Sequence, residues 1–462
     1  MKKNFKRFIA GLLAAASVFG FAACGDGGNS GGTSGGGTFD DGDNKTTVRY
    51  YSFNNDTVNK ELNDAIKNDF NKIYPDIKVQ TQISTGSFYT NLLTDFSGNT
   101  EADVFNMEPG EIYPFLSAKY LEPLDSYFEN SEKVSLNDVW DINRQAYAFD
   151  YSSKKFGSGK TYAVLKDWTT DSMLLYNRKL FTPEQLAIIE KDSDGDGMSD
   201  PLSFDEFETL CKDLVKKSGN VITQYSFLPG LAEAKVLEQF ITNAGECWFK
   251  NDYYSNFDSK AVQDVVKYYY GILGMNEVNN TGSTFYPIFA QGKCAMIMGG
   301  LYCIDSYDLD DMDLGIAYPP VKEKGMESKP YTTGCVGFAI SSRSKVKDAA
   351  FKFIEWYLEY FGKKQAEECN NFPAIEKYTQ EIMLNPEVNK NETRLAHANK
   401  FYKSLSSAVI IDRNLYCSQA SVEAIEFKFA GSYLQGEMSI ADFCGNLDYE
   451  INKRVDRAKK AE

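Results

Sequence analysis

The sequence GKTYAVLKDWTTDSMLLYNRKLF, residues 159–181, contains two apolar runs on either side of a polar interruption. Residues 162–165 have extended, apolar character, and the apolar run resumes at residues 173–176 after the segment KDWTT. Trp168 in that segment lies next to Asp167 and two threonines. A flat indole face among hydrogen-bonding groups is typical of a ligand-binding wall. The alternative is a half-buried tryptophan on an ordinary turn.

Strand and helix patterns alternate upstream of this segment. Residues 47–53 are strand-like, and residues 57–73 carry apolar side chains at helical spacing until Pro75 interrupts the pattern. Further strand patterns follow at residues 77–81 and 102–107. Such alternation predicts an α/β fold, with a mostly parallel sheet covered by helices on both faces.

In a sheet of that kind, ligands bind beyond the carboxyl ends of the strands. Three predicted loops occupy such positions, at residues 51–55, 84–89 and 106–110, and all three are polar and aromatic in composition. They are therefore candidate ligand-binding loops, although each one also fits an ordinary solvated loop.

Five segments carry a resemblance to a known family. They are residues 159–181 and, in chain order, YPDIKV (74–79), ADVFNMEPGEIYPFLSAKYLEPLD (102–125), FAQGKCAMIMGGLY (289–302) and SKVKDAAFKFIEWYL (344–358). Together they resemble the family 1 extracellular solute-binding proteins, which are the sugar-binding components of ABC importers. The resemblance implies a two-lobe periplasmic-binding-protein-like fold with discontinuous lobes and a cleft between them. It assigns residues 46–165 plus 303–360 to lobe 1, and residues 166–302 plus 361–462 to lobe 2.

The same resemblance implies a function and a set of site residues. The protein is expected to be a monomer that captures a carbohydrate, an oligosaccharide, and delivers it to membrane permease subunits without acting as an enzyme. Sugars present apolar ring faces and hydroxyl groups, which aromatic rings and planar polar groups recognise. The candidates are the stacking residues Trp168, Trp248 and Tyr302, the hydroxyl partners Asp167, Glu108, Asn54 and Asn106, and the wall residues Tyr51, Phe53 and Tyr89. Core packing is a serious alternative for Trp248 and Tyr51.

The N-terminus reads as a targeting segment. Residues 1–23 combine four basic residues with an apolar run too short to span a bilayer comfortably. The sequence FAAC resembles a bacterial lipobox with Phe in place of the usual Leu, which implies a diacylglyceryl and palmitate-type acyl anchor on Cys24. Residues 24–45, rich in Gly and Ser, then form a flexible tether. The expected location is the extracytoplasmic face of the cell membrane; a plain signal peptide with an incidental Cys is the alternative.

Charge and residue usage exclude several classes of function. Removal of the four basic residues in 1–23 leaves 45 basic and 65 acidic residues, a net charge of −20. We therefore do not expect the protein to bind nucleic acid, because neutralising phosphates needs a basic surface. The single histidine, His397, excludes a His-rich zinc site, and its polar surroundings predict a surface helix position. Cys211 and Cys294 are predicted to be buried thiols.

The sequence DSDGDGMSD, residues 192–200, predicts a calcium loop. Oxygen ligands at alternate positions and a glycine at the sixth position are the pattern of such loops. The expected ligands are Asp192, Asp194, Asp196, the carbonyl of Met198, and Asp200, with Asp205 or Glu206 completing the shell because position twelve is Ser203. The expected Ca²⁺ role is structural. An acidic turn without metal is the alternative.

Three other functions remain open at this point. Asp167 and Glu108 are a possible carboxylate pair for a surface glycosidase, which also uses aromatic platforms. A calcium-stiffened adhesion or scaffold protein is a second possibility, although the sequence shows no repeats. A third is a binding protein of the same fold for a polyamine, phosphate ester or peptide, and the acidic balance keeps cationic ligands open.

Overall fold

The computed structural model describes residues 45–461, apart from 54–55, 85–86, 231–232, 279–284, 308, 310–311, 333–335 and 369–370. The predicted signal peptide, Cys24, most of the tether and Asn54 lie outside the described residues. Among the described helices, none is both long enough and apolar enough to cross a membrane.

The first sheet has six strands. Their spatial order is Phe372–Pro373, Val164–Trp168, Val336–Ile340, Val104–Met107, Thr46–Ser52 and Ile77–Ile83. The last three strands pair in parallel, as the alternation of strands and helices predicts. The other three are antiparallel to their neighbours. The expectation of a mostly parallel sheet is therefore wrong, because Val336–Ile340 returns from far along the chain and inserts antiparallel in the middle.

The second sheet has five strands. Their order is Leu314–Ala317, Met173–Asn177, Cys294–Gly299, Val221–Leu228 and Lys216–Ser218. Only the pair formed by Cys294–Gly299 and Val221–Leu228 is parallel. The two neighbours of Met173–Asn177 in the sheet, Leu314–Ala317 and Cys294–Gly299, run antiparallel to it. All five residues of Met173–Asn177 are buried. This fully buried strand, apolar as far as Tyr176, is what a sheet covered on both faces requires.

Connections between the two sheets divide the chain into two halves. The chain first leaves one sheet for the other between Trp168 and Met173. Leu314–Ala317 still pairs within the second sheet, so the return occurs after residue 317 and not near the predicted boundary at 303. Phe372–Pro373 pairs with Val164–Trp168 in the first sheet, which moves the predicted boundary at 361 beyond residue 373. Strand pairing, which depends on distant partners, explains both corrections.

Two smaller sheets complete the strands. Ala148–Asp150, Lys155–Phe156 and Lys160–Thr161 form a three-stranded sheet, and Tyr331–Thr332 pairs in parallel with Val409–Ile410.

Helices cover the sheets. The α-helices are Asp56–Ala65, Asn71–Ile73, Phe88–Gly98, Tyr113–Ser117, Asp125–Glu129, Asp141–Tyr147, Pro183–Ile189, Phe204–Leu214, Glu233–Asn243, Lys260–Met275, Tyr286–Ala290, Tyr302–Ser306, Lys347–Trp356, Gly362–Glu368, Glu392–Ser404, Gln419–Leu434 and Ile440–Ala461. Short 3₁₀ turns occur at Pro109–Glu111, Leu136–Asp138, Arg178–Leu180 and Leu405–Ser407, and π turns at Ile66–Phe70, Tyr357–Phe361 and Thr379–Met383.

Local signals explain several helix positions. Ser203 and Glu206 form a capping box, which fixes the start of helix Phe204–Leu214. Cys211 on this helix and Cys294 on its strand are buried free thiols, as predicted, and burial raises the pKa of both. His397 does lie on a helix, but it is buried and not at the surface as predicted, because the helix turns it inward.

Candidate functional site

One loop of the first half of the molecule contacts the second half. It follows strand Val104–Met107 of the first sheet and contains the turn Pro109–Glu111. The Glu111 carboxylate accepts a hydrogen bond of 2.8 Å from the backbone N–H of Ala420, in the first turn of helix Gln419–Leu434. That helix packs on Glu233–Asn243 and so belongs to the half built on the second sheet. An anion at a helix N-terminus is favourable because the unpaired N–H groups point towards it.

A cavity lies where this loop meets the second half. Its volume is about 10 Å³, which is room for about one water molecule. The lining residues used below are Gly110 from the loop and Glu238, Trp248, Asp412, Gln419 and Glu423 from the second half. Ligand sites typically measure roughly 300–1,000 Å³, so the cavity in this form of the protein is far too small for a sugar. An oligosaccharide therefore needs the two halves to separate before it can enter.

Trp248 is the aromatic residue at this cavity that the sequence predicts. Its side chain is 2% exposed, and its ring packs edge-on against Phe257 with the centroids 5.0 Å apart. Its backbone N–H donates to the carboxylate of Asp412 at 3.3 Å. The indole N–H has no hydrogen-bond partner among the described residues. The buried indole N–H groups of Trp168 and Trp356 are also without a partner among the described residues, so the position of Trp248 in the cavity lining is what distinguishes it.

Carboxylates surround the cavity. Glu238 is 5% exposed and accepts a hydrogen bond of 2.8 Å from the backbone N–H of Asp412. Burial and the neighbouring Asp412 carboxylate raise the pKa of Glu238 well above its ordinary value. Glu423, half-buried on helix Gln419–Leu434, has its pKa raised by burial, and Lys235 opposes that shift.

Lys235 interacts electrostatically with several of these acids. Burial alone lowers the pKa of Lys235, but the attraction of Glu108 and Glu423, with Asp171 and Glu111, outweighs it and leaves the pKa raised. Glu108 and Glu111 come from the loop of the first half, whereas Lys235 comes from the second. The electrostatic contact therefore crosses between the halves at the edge of the cavity.

Comparison with family models identifies the chain. Residues 54–360 match the model described as bacterial extracellular solute-binding protein. The chain belongs to this family. The match covers about two thirds of the sequence and includes the loop at Gly110 together with Trp248. Membership implies an extracytoplasmic location and a role in binding a solute.

Solved structures of solute-binding proteins have the same fold. An ABC substrate-binding protein from Listeria monocytogenes in complex with cycloalternan is 19% identical, with a TM-score of 0.71 over 89% of this chain and 99% of that one. A maltose/maltodextrin-binding domain from Bdellovibrio bacteriovorus bound to maltotriose is 17% identical, with a TM-score of 0.69 over 89% and 100%. An ABC transporter solute-binding protein from Thermotoga lettingae bound with α-D-tagatose is also 17% identical, with a TM-score of 0.69 over 89% of this chain and 100% of that one. Comparison with curated protein sequences returns no match.

These similarities confirm the two-lobe α/β solute-binding fold that the sequence predicts. The two sheets, each with its helices, are the two lobes, and the cavity at Gly110 and Trp248 lies at their junction.

Four predicted residues of the first lobe, Tyr51, Phe53, Tyr89 and Glu108, are connected through Phe88 and Tyr89. The hydroxyl of Tyr89 accepts a hydrogen bond of 2.8 Å from the backbone N–H of Glu108. Tyr51 is buried and its ring stacks on Phe88 at 4.6 Å, so it serves the core. Phe53 is half-buried and contacts Phe88 at 4.4 Å. Of this group, Glu108 and Tyr89 therefore lie nearest to the loop that lines the cavity.

Two of the predicted hydroxyl partners are engaged with other groups of the protein. Asn106 is buried, and its amide bonds the Tyr50 hydroxyl at 3.0 Å and accepts from the backbone N–H of Phe53 at 3.1 Å. Asp167 pairs with Lys166 at 3.6 Å and accepts from Asn371 at 3.0 Å. These contacts satisfy both side chains, which corrects their assignment as hydroxyl partners.

Trp168 and Tyr302 also lie away from the cavity lining. Trp168 is 1% exposed and packs edge-on against Trp140 at 5.1 Å, and it is not among the residues that line the cavity. Tyr302 is half-buried, and burial, followed by Cys303 and Asp171, raises its pKa well above the ordinary value. It begins a short helix after the second-sheet strand Cys294–Gly299.

Sequence reasoning missed Glu111, Glu238, Asp412, Gln419 and Glu423. A signal existed for Glu238, because it stands with Gln239 on a helix whose neighbouring positions are buried apolar residues, and both are buried. Charged residues are almost never buried without a partner, so a glutamate on an apolar helical stripe marks a site. Asp412 lies in an irregular segment, and Gln419 begins a helix, so neither position carries such a pattern.

The acidic loop brings three of the predicted calcium ligands together. Carboxylate oxygens of Asp192, Asp194 and Asp196 lie within 4.8 Å of one another, on the exposed surface. The N–H groups of Gly195 and Gly197 donate to Asp192 at 2.7 and 2.8 Å and hold the turn. Lys403 donates to the backbone carbonyl of Asp196.

The other predicted calcium ligands are occupied or separate. Asp200 pairs with Lys191 at 3.3 Å and accepts from Ser193. Glu206 caps its helix through Ser203 and pairs with Lys324 at 2.8 Å. Met198 donates its N–H to Asp196 at 2.6 Å, and Asp205 lies in the first turn of the following helix. Three carboxylates on one turn fit a hard cation such as Ca²⁺, which takes six to eight oxygen ligands.

Proposed function

We propose that this solute-binding protein captures a carbohydrate, an oligosaccharide, at the junction of its lobes and delivers it to the permease subunits of an ABC importer. The observation that carries the proposal is the junction cavity, where a tryptophan with a free indole N–H adjoins several carboxylates. Indole faces stack on sugar rings, and carboxylates accept hydrogen bonds from hydroxyl groups. The proteins of known structure with maltotriose and cycloalternan bound support this ligand class.

Capture depends on closure of the lobes. In the proposed cycle, an open protein admits the sugar, and contacts to both lobes then favour the closed form. A ligand shifts such an equilibrium only by its differential affinity for the two forms. Hinge closure of this kind is the known behaviour of periplasmic binding proteins. The loop contact between Glu111 and Ala420 would form in the closed protein and break in the open one.

We further propose that the protein binds its ligand without altering it and acts as a monomer. A glycosidase needs two carboxyl groups about 5–10 Å apart on either side of the scissile bond. Asp167, one of the two carboxylates predicted for such a pair, is held by Lys166 and Asn371 and does not line the cavity.

The experiment that tests the proposed function measures binding and turnover together. A thermal-shift screen across mono- and oligosaccharides is followed by titration of intrinsic tryptophan fluorescence and by chromatography of the incubated sugar. We expect saturable fluorescence quenching with at least one sugar and no new products. Shortened sugars among the products would contradict the proposal and indicate a hydrolase. Absence of binding to every sugar of the panel would contradict the carbohydrate function.

A lipid anchor is also part of the proposal. Cys24 is proposed as the acylated N-terminus of the mature protein, and residues 24–45 as the tether that separates the lobes from the membrane surface. One acyl chain gives only marginal membrane binding, which is why a multiply acylated cysteine is the expected form.

The acidic loop is proposed as a structural Ca²⁺ site. Millimolar Ca²⁺ is expected to raise the melting temperature by a few degrees and EDTA to reverse this, because an ion that binds only the folded state stabilises it. Sugar affinity should stay nearly constant, since the loop does not line the cavity. In the double variant D194N/D196N the calcium-dependent shift should disappear, although Asn retains an oxygen for the turn. An identical melting temperature of the parent protein in Ca²⁺ and EDTA would remove the site.

A further inference from the structure

The lining of the junction cavity is unbalanced in charge. Among the described residues that line it, Glu238, Asp412 and Glu423 carry carboxylates and none carries a cationic side chain. Glu238 is buried, whereas Asp412 is exposed to solvent and so lies at the mouth. Burying carboxylates near one another without a cation is costly, and it is usually relieved by protonation or by a bound positive charge.

Two cations offset part of this charge, because Lys235 attracts Glu423 and Arg413 attracts Asp412. Lys235 faces Glu108, Glu423, Asp171 and Glu111, so one ammonium group is shared among four carboxylates. Arg413, next to Asp412, has its guanidinium carbon 4.1 Å from the ring centre of Phe156 and donates to the Ala146 carbonyl. The three acids of the cavity lining are therefore set against two cations that also contact groups outside the cavity.

Together these observations point to the charge of the ligand. Hydroxyl groups of a neutral sugar donate to carboxylates, but they leave the repulsion between those carboxylates in place. An ammonium group makes the same kind of hydrogen bond and also cancels charge, which makes the bond stronger. The indole of Trp248 at the same cavity provides an apolar ring face and a free N–H, which suit a sugar ring that carries the amine.

We propose that the ligand is an amine-bearing carbohydrate whose ammonium group is held by Glu238, Asp412 and Glu423 while its ring packs on Trp248. This inference rests on the proposed carbohydrate function and narrows it. The net charge of the chain without residues 1–23, −20, would also attract such a cationic sugar before contact.

The test uses pairs of sugars that differ only at carbon 2. Glucose and glucosamine, galactose and galactosamine, and mannose and mannosamine each exchange a hydroxyl for an ammonium group of similar size. Isothermal titration calorimetry of the full-length mature protein at low salt gives the affinity ratio within each pair. We expect the amine to bind at least tenfold more tightly in one pair or more, and this advantage to shrink as salt rises.

Variants of the cavity acids provide the second readout. In the double variant E238Q/D412N, the amine-to-hydroxyl affinity ratio should fall to within about threefold of unity, because the charge is removed while side-chain shape is kept. Circular dichroism and the melting temperature establish that the variant is folded. The variant E437Q, which neutralises an exposed glutamate beyond helix Gln419–Leu434, should keep the parent ratio.

The outcomes separate the inference from the function on which it rests. Neutral sugars that bind as well as or better than their amines overturn the inference and leave the carbohydrate function intact. An amine preference that survives in E238Q/D412N also overturns it, because the charge then acts elsewhere. If no monosaccharide, amino sugar or oligosaccharide of the thermal-shift panel binds, the carbohydrate function itself fails.

Discussion

The variant G110L is expected to bind the best sugar of the panel roughly 5- to 150-fold more weakly than the parent protein. Gly110 belongs to the first-lobe loop, and a Cβ atom added there would lie 2.5 Å from Oε1 and 3.2 Å from Cβ of Gln419 in the second lobe. The Gln419 amide end can move aside, but a leucine also meets the base of that side chain. Overpacking typically costs about 1–3 kcal/mol, and here the cost falls on the closed form alone.

The backbone conformation at Gly110 allows a side chain to be added without strain. Its φ is not in the positive range that only glycine adopts readily, so a side chain adds volume without backbone strain. The free energy of unfolding of the sugar-free variant should therefore fall by less than its free energy of sugar binding does. Calorimetric titration measures the affinity, and small-angle scattering measures whether the sugar still makes the protein more compact.

A matched control places the same leucine in open space. Gly271 lies exposed on helix Lys260–Met275, and a Cβ atom added there would have no neighbouring atom within 4 Å, so G271L should bind like the parent. Equal affinities of G110L and the parent protein would show that this loop does not approach the second lobe during binding.

Much of the fold follows from local patterns in the sequence. The parallel strands Thr46–Ser52 and Ile77–Ile83 and the helix between them were predictable because apolar spacing and Pro75 define them within a short segment. The capping box at Ser203 located the start of a helix for the same reason. The antiparallel insertion of Val336–Ile340 was not predictable, because its partners lie more than 150 residues away and no local signal names them.

The candidate site was less predictable than the fold. Trp168 lies between Asp167 and Thr169, whereas Trp248 lies between Cys247 and Phe249 and has the less polar neighbours, yet of the two it is Trp248 that lines the cavity. Which of the two faces a cleft depends on how the lobes meet, and that is a tertiary property. Asn106 shows the same limit, because only the fold reveals that Tyr50 and the backbone of Phe53 already satisfy its amide.

Stability is expected to fall between pH 5 and pH 8, and two buried glutamates should account for much of the loss. Burial raises the pKa of Glu111 to about 7, with Glu108 and Glu423 adding to the shift while Ala420 and Lys235 oppose it. Burial likewise raises the pKa of Glu426 to about 7, against the opposing hydrogen bond from Tyr270. Both side chains are buried, at 6% and 2% exposure.

Stability falls as pH rises because the folded state holds these protons more tightly than the unfolded state does. A carboxyl group whose pKa is higher in the folded than in the unfolded protein binds its proton more tightly when folded, so stability decreases as pH rises. Below a pH of about 4.5 both states are protonated and no penalty exists, and above about 7 the penalty is complete. A shift of this size corresponds to about 3 kcal/mol for each group at most.

Substitution by glutamine should remove this dependence, because the amide stays neutral and its oxygen still accepts a hydrogen bond. Urea unfolding at pH 5 and pH 8 is therefore expected to show a smaller loss of stability in E111Q and in E426Q than in the parent protein. The exposed control E437Q should keep the parent slope. E426Q acts within the second lobe, whereas Glu111 bonds across the junction, so only E111Q should also alter how readily the lobes close at high pH. A parent protein equally stable at both pH values would mean that these carboxylates find more water or more counter-charge than their burial implies.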